Sequence, residues 1–156
     1  MAAPTSIFLT GATGYIGGSL LVSLVQKYPN TKITALVRNP EDLNAVSAVG
    51  PTVRVVLGSH SDRELLIGEV SIAEFVFQVS NSDDIDLVQN IVTGLKLHKE
   101  KTGKRALYFH VTGTMTYADE AAGEINQDYK VWSDTDKVRL MSAVDINAPH
   151  RKMDLE

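Results

Sequence analysis

Thr10-Gly11-Ala12-Thr13-Gly14-Tyr15-Ile16-Gly17-Gly18 is the stretch that decides how this chain folds. The apolar run Ile7-Phe8-Leu9 leads into it, and Ile16, Leu20, Leu21, Leu24, Val25 and Tyr28 follow it at helical spacing. A strand, a tight glycine turn and a helix are therefore expected in direct succession.

The same alternation continues outward from that unit. Pro29-Asn30 stops the first helix, and Ile33-Thr34-Ala35-Leu36-Val37 reads as a second buried strand. Asn39-Pro40 opens a short helix around Leu43, Val46 and Val49, which Gly50-Pro51 ends. Val53 to Leu57 predicts a third strand, Asp62 to Val70 a third helical stretch, and Phe75-Val76-Phe77-Gln78-Val79 a fourth strand. Val88, Ile91, Val92 and Leu95 share one face of a fourth helix, and Leu107-Tyr108-Phe109-His110-Val111 supplies a fifth strand. Apolar strands alternating with helices predict an α/β fold, a doubly wound parallel sheet of about five strands covered on both faces. Beyond about Met115 the pattern gives way to polar residues, among them Asp119, Glu120, Glu124, Asn126, Gln127, Asp128, Asp134 and Asp136. That stretch reads as a long excursion on the active-site side, closed by a proline-started helix from Ala148-Pro149 of roughly two turns. Residues 1–156 are thus expected to form one domain, with 115–156 as the polar excursion and an incomplete last helix.

Composition bounds what such a domain does. With 156 residues, 44% of them hydrophobic and 22% charged, the chain can bury one ordinary core. Its formal charge of −4 argues against a protein that binds nucleic acid through the phosphate backbone. No apolar run approaches the roughly 20 residues that span a bilayer. The opening Met1-Ala2-Ala3-Pro4-Thr5-Ser6 lacks the basic start and apolar stretch of a secretory signal, so a cytoplasmic location is expected. The absence of cysteine removes disulfides, thiolate metal sites and cysteine nucleophiles.

The glycine turn carries the chemistry. Backbone N–H groups at a helix N-terminus lack intrahelical partners and lie at the positive end of the helix dipole, so they suit an anion such as a pyrophosphate. Gly11 permits the sharp exit from the first strand, Gly14 lets the backbone lie against phosphates, and Gly17 lets the helix pack tightly on the sheet. The spacing is G-x-x-G-x-x-G rather than G-x-G-x-x-G, so the dinucleotide fingerprint is matched in its logic and not letter for letter.

Thr10 to Gly18 is also similar to the opening of the extended and atypical short-chain dehydrogenase/reductases, a superfamily that includes NAD-dependent epimerases and dehydratases. Leu36-Val37-Arg38-Asn39-Pro40, Val55-Val56-Leu57-Gly58 and Tyr108-Phe109-His110-Val111-Thr112-Gly113-Thr114 resemble further landmarks of it. The resemblance implies a Rossmann-like domain holding a nicotinamide dinucleotide on Gly11, Thr13, Gly14, Tyr15, Ile16 and Gly17.

In such folds the end of the second strand reads the adenosine ribose: a carboxylate accepts from a free 2′-hydroxyl, whereas an arginine pairs with a 2′-phosphate. Arg38 stands there, about 20 positions after Gly17, and no Asp or Glu lies between Thr31 and Pro40. NADP is expected ahead of NAD. The resemblance places adenine near the end of the third strand, where a common Gly-Asp is here Gly58-Ser59, with Asp62 as the available substitute. Val79 and Ser80 are expected to line the ribose side, because ligands of these sheets sit at the carboxyl ends of the strands.

Catalysis in the superfamily uses a Ser or Thr after the fifth strand and a Tyr-x-x-x-Lys pair, whose lysine lowers the tyrosine pKa. Thr112 or Thr114 supplies the hydroxyl, with Gly113 in or beside the position that the resemblance gives to serine. The pair is missing from its place: Tyr117 is followed four positions later by Ala121 and Tyr129 by Ser133. Tyr28 and Lys32 have the spacing but fall between the first helix and the second strand, at the wrong end of the sheet. His60, His98, His110 and His150 are too scattered for a metal site, so no metal is expected. Lys96, Lys99, Lys101, Lys104 and Arg105 read as a solvated helix end that complements the helix dipole. Trp132 either touches substrate or anchors the excursion.

The expected function is that of an NADP-binding domain of an oxidoreductase or epimerase, weakly active or inactive without the sixth strand, proton-transfer pair and substrate region that the resemblance implies. The alternative is a non-catalytic NAD(P) sensor resembling NmrA-type regulators, and a third is a remnant whose uncovered apolar edge promotes self-association. A dinucleotide, an unidentified small-molecule substrate and a second copy of the chain are the expected partners, without nucleic acid or membrane.

Overall fold

The computed structural model describes residues 3–118, 123, 127, 130–142 and 144–156. Asp119, Glu120, Ala121, Glu124, Asn126, Asp128 and Tyr129 of the polar stretch lie outside the described residues. The chain divides into two compact units, Met1–Val111 and Thr112–Glu156.

The first unit contains β1 (Ser6–Thr10), α1 (Tyr15–Lys27), β2 (Lys32–Val37), α2 (Leu43–Ser47), β3 (Val53–Leu57), α3 (Arg63–Val70), β4 (Phe75–Gln78), α4 (Ile85–Thr102) and β5 (Leu107–His110). A short 3-10 turn, Pro40–Asp42, precedes α2. The strands form one parallel sheet in the order β3-β2-β1-β4-β5, the Rossmann-like arrangement that the alternating pattern predicts. After β1 the chain winds outward through β2 and β3, then returns to place β4 on the other flank of β1. The β1/β4 junction is therefore the topological switch point, where open parallel sheets bind ligands.

The two faces of the sheet are built from alternate residues of each strand. Ile7, Leu9, Ile33, Ala35 and Val37 pack with Leu21 and Leu24 of α1 and Val46 of α2. Phe8, Leu36 and Val76 pack on the opposite face with Leu66 and Val70 of α3 and Leu87 and Ile91 of α4. Phe8 and Leu9, neighbours facing opposite sides, are both fully buried, which is why β1 reads as continuously apolar. Burying each such side chain contributes about 1.5–3 kcal/mol.

Cover on both faces does not extend to β5. Leu107 and Phe109 remain 44% and 43% exposed, and Phe109 stacks on Phe77 with ring centroids 4.5 Å apart. The uniform hydrophobicity of Leu107-Tyr108-Phe109 marks a buried strand, yet an edge strand has a sheet neighbour on one side only.

α4 shows how local sequence sets the ends of a helix. Asp84 Oδ1 accepts the Leu87 N–H at 3.1 Å, a side-chain N-cap worth about 0.5–2 kcal/mol. Lys99 and Lys101 lie in the last turn, and Gly103 closes the helix in the left-handed conformation at φ 71°. His98 is a satisfied core histidine, with Nδ1 3.1 Å from the Ser71 carbonyl oxygen.

The second unit contains a 3-10 turn at Thr114–Tyr117, α5 (Lys137–Ser142) and α6 (Arg151–Asp154). Trp132 is an anchor within this unit: its ring lies 5.2 Å from that of Tyr117, and the Arg139 guanidinium stands 5.5 Å from its centroid. Thr116 Oγ1 donates to the Pro149 carbonyl at 2.9 Å. The expected proline-started helix of two turns is corrected here. α6 is a single turn beginning after His150, whose φ of 67° is left-handed and leaves Pro149 outside the helix.

Candidate functional site

The site is built where β1 ends. Thr10 is fully buried, and its hydroxyl meets that of Ser80 at 3.0 Å, tying the end of β1 to the segment that follows β4. Gly11 then turns at φ 75°. A Cβ there would lie 2.7 Å from the Val79 carbonyl oxygen and 2.9 Å from the Ser80 nitrogen, so the turn requires glycine both for its conformation and for its neighbour.

The three glycines separate in role. Gly14 N–H donates to Gly11 O at 3.0 Å, and Gly14 is the N-cap of α1, with no side chain to satisfy the first turn. A Cβ at Gly14 would meet one atom, Gly11 O, at 3.3 Å, a tight contact that a shift of a few tenths of an ångström relieves. Gly17 serves the turn as well as the packing of the helix on the end of the sheet: a Cβ would fall 2.0 Å from Gly11 O and 3.0 Å from the side chain of Val79, just after β4. Tyr15 is 94% exposed and Ile16 53%, both over the same turn.

Arg38 lies immediately beyond β2, exposed, with no hydrogen bond or ion pair among the described residues. It shares a small polar recess with Gly11, Thr13, Asn39, His60 and Ser80. The fold thus brings together the ends of β1, β2 and β4 and the loop after β3. Ser59 belongs to an adjoining recess that also contains Arg38 and His60. Asp62 lines neither recess: its Oδ2 accepts the Ser59 N–H at 2.6 Å and closes the loop after β3. Val79 is half-buried against Gly11 and Gly17. Thr112 and Thr114 belong to the second unit, Thr112 half-buried and Thr114 exposed at the start of the 3-10 turn.

His60 is the residue that sequence reasoning missed. Its Nδ1 sits 2.8 Å from Asp84 Oδ2, and its side chain is 13% exposed. The available signal was its position, three residues beyond the end of β3 and so at the carboxyl edge of the sheet, where ligands bind. A separate hollow at the opposite, amino ends of β1, β2 and β3 is bordered by Thr5, Ser6, Lys32, Thr34 and Arg54 and contains none of the predicted binding residues.

A profile of the NmrA-like family matches residues 4–101, more than half of the chain and nearly all of the first unit. The chain belongs to the NmrA-like family. This confirms the resemblance to extended short-chain dehydrogenase/reductases read from Thr10 to Gly18. Among curated relatives, the NmrA-like chain is 32% identical to Oxidase ucsJ of Acremonium sp over 113 residues, 72% of this chain and 32% of the relative. It is 35% identical over 77 residues to Quinone oxidoreductase 2 of Escherichia coli strain K12, 49% of this chain and 26% of the relative. The chain therefore spans about a third or less of the curated relatives it matches. Among solved structures, an NADPH-dependent quinone oxidoreductase from Escherichia coli complexed with NADPH matches at a TM-score of 0.51 and 28% identity, covering 59% of this chain and 33% of that one. No described helix of the NmrA-like chain is long and apolar enough to cross a membrane.

Proposed function

We propose that this chain is the NADP-binding part of an NmrA-like oxidoreductase, with the dinucleotide lying over the carboxyl ends of β1, β2 and β4. The observation that carries the reading is the single recess joining Gly11 and Thr13 of the glycine turn to Arg38 after β2 and Ser80 after β4. The residues present fit the group. At Gly14 a Cβ would meet a single atom, Gly11 O, beside an uncapped helix start, and Arg38 is a cation without a partner among the described residues.

In this reading the pyrophosphate rests on the N–H groups at the start of α1, between Gly14 and Gly17, with Tyr15 and Ile16 flanking it. Arg38 pairs with the adenosine 2′-phosphate. Ser59 borders the adenine end, and Asp62 acts there by holding the Ser59 backbone in place. Val79 and Ser80 line the ribose side. When bound, the cofactor supplies a hydride.

A second reading, a dinucleotide sensor without turnover, is supported by the tyrosines. Only Tyr28 has a lysine four positions on, Lys32, and Tyr28 is the C-cap of α1 at the amino ends of the strands. Titration of the 156-residue chain with NADPH and NADH by calorimetry tests what both readings share. Tighter binding of NADPH is expected, and absence of binding to a folded chain would refute both. NADPH oxidation in the presence of a quinone then separates them, because a sensor binds without consuming the cofactor.

A further inference from the structure

Two polar recesses lie along the carboxyl edge of the sheet, one reaching Gly11 and the other bordered by Ser59 and Ser61, and Arg38 and His60 are the two residues common to both. They stand where the ends of β2 and β3 come side by side, with Val37 paired to Leu57. An anion bound by Arg38 between the recesses would therefore share them with His60, from the loop after β3.

His60 is held from several directions. Asp84 Oδ2 is 2.8 Å from its Nδ1, while Asp84 Oδ1 is committed to the Leu87 N–H. The His60 carbonyl accepts from Asn90 Nδ2 at 3.4 Å, and Asn90 Oδ1 in turn accepts from Arg63 Nη1 at 3.2 Å. Because an ionised carboxylate only accepts, Nδ1 carries the proton toward Asp84; Nε2 is then an acceptor in the neutral ring and becomes a donor to a phosphate only when it binds the second proton. A doubly protonated ring donates from both nitrogens at once.

Charge gives the pairing a second consequence. Asp42 borders the first recess, and Asp84 and Asp86 border the second, so carboxylates surround the place where Arg38 would hold a phosphate. Asp84 is turned from a repulsive neighbour into the support of a phosphate donor by its contact with His60.

We propose that His60, oriented by Asp84, is the second ligand of the adenosine 2′-phosphate beside Arg38 and so a determinant of NADP over NAD. This rests on the dinucleotide reading above. Binding of 2′,5′-ADP and 5′-AMP to the wild-type chain, His60→Ala, His60→Gln and the double variant His60→Ala/Asp84→Asn tests it, with circular dichroism to confirm folding. His60→Ala is expected to weaken 2′,5′-ADP about tenfold and to leave 5′-AMP within about twofold, with His60→Gln recovering part of the loss through its amide donor. The double variant is expected to stay weak. Equal loss for both nucleotides, or no loss, would overturn the assignment, as would full recovery in the double variant, which would reduce His60 to a screen for Asp84. If the wild-type chain binds NADPH while His60→Ala is unchanged, His60 alone falls; if it binds no dinucleotide, the cofactor reading falls with it.

Discussion

Gly17 approaches Gly11 so closely that a Cβ on Gly17 would lie 2.0 Å from the Gly11 carbonyl oxygen. The first turn of α1 is thereby pressed onto the turn that precedes it, which sets the direction in which its N–H groups point. The only atom near a Gly14 Cβ, by contrast, is the same oxygen at 3.3 Å. Two glycines of one motif therefore meet different surroundings, one pressed against the turn and the other touching it at a single atom.

Gly17→Ala is expected to cost stability. Backbone must move to admit the methyl group, a change that belongs with the strained substitutions costing about 3 kcal/mol or more. For a chain of this size that lowers the melting temperature by roughly 10 °C, measurable by thermal circular dichroism. A drop of only about a degree would mean that α1 is free to slide away from Gly11.

Gly14→Val is expected to leave the fold standing and remove the ligand. Its Cβ needs only a small shift from Gly11 O, and its branched side chain would stand beside the start of α1, where a pyrophosphate would need to approach. The melting temperature should stay within a few degrees of wild type while NADPH affinity falls at least about tenfold by calorimetry.

Arg38→Ala tests the 2′-phosphate directly. Loss of a charge-assisted contact worth about 1.5–3 kcal/mol should weaken NADPH by about 10- to 100-fold and leave NADH nearly unchanged. Because Arg38 is exposed, the wild-type preference for NADPH should also shrink as salt is raised. Equal weakening of both cofactors would mean that Arg38 contacts something other than the 2′-phosphate.

Glu74 carries a pH dependence that is separate from the site. The Thr5 backbone N–H, donating to Glu74 Oε2 at 2.8 Å, holds the carboxyl below its ordinary value of 4.5, against a smaller opposing effect of burial and with help from the Thr5 side chain, Lys104 and His98. A carboxyl lowered on folding contributes stability above its unfolded value, and that contribution is lost as pH falls through the folded one. Glu74→Gln should therefore melt about 1–3 °C below wild type near neutral pH, with the gap closing in acid below about pH 4. A gap that persists at low pH would assign the effect to packing instead.

Much of the first unit was legible because its signals are local. Period-2 and period-3.6 patterns, Gly50-Pro51 after α2 and the apolar Ile7-Phe8-Leu9 depend on residues adjacent in sequence, and they place every strand and helix of the sheet within a few residues. The last helix was misjudged because Pro149 suits a helix start, whereas the left-handed conformation of His150 depends on how its own unit packs. Position along the chain was enough to bring Gly11, Thr13, Arg38 and Ser80 into the candidate site, since each lies within three residues after a strand whose carboxyl end faces the same edge.

By itself, the sequence determined a parallel α/β sheet, a glycine turn suited to phosphate and an arginine at the end of β2, all through short-range patterning and backbone sterics. Tertiary structure alone decided that Gly17 abuts the turn as well as Val79 at the end of the sheet, and that Leu107 and Phe109 of β5 remain half exposed. It also decided that His60 meets Asp84 across 24 positions of chain. Those relations depend on strand order and on the close approach of separate elements, and the energy of a contact between distant residues leaves no periodic trace in the residues between them.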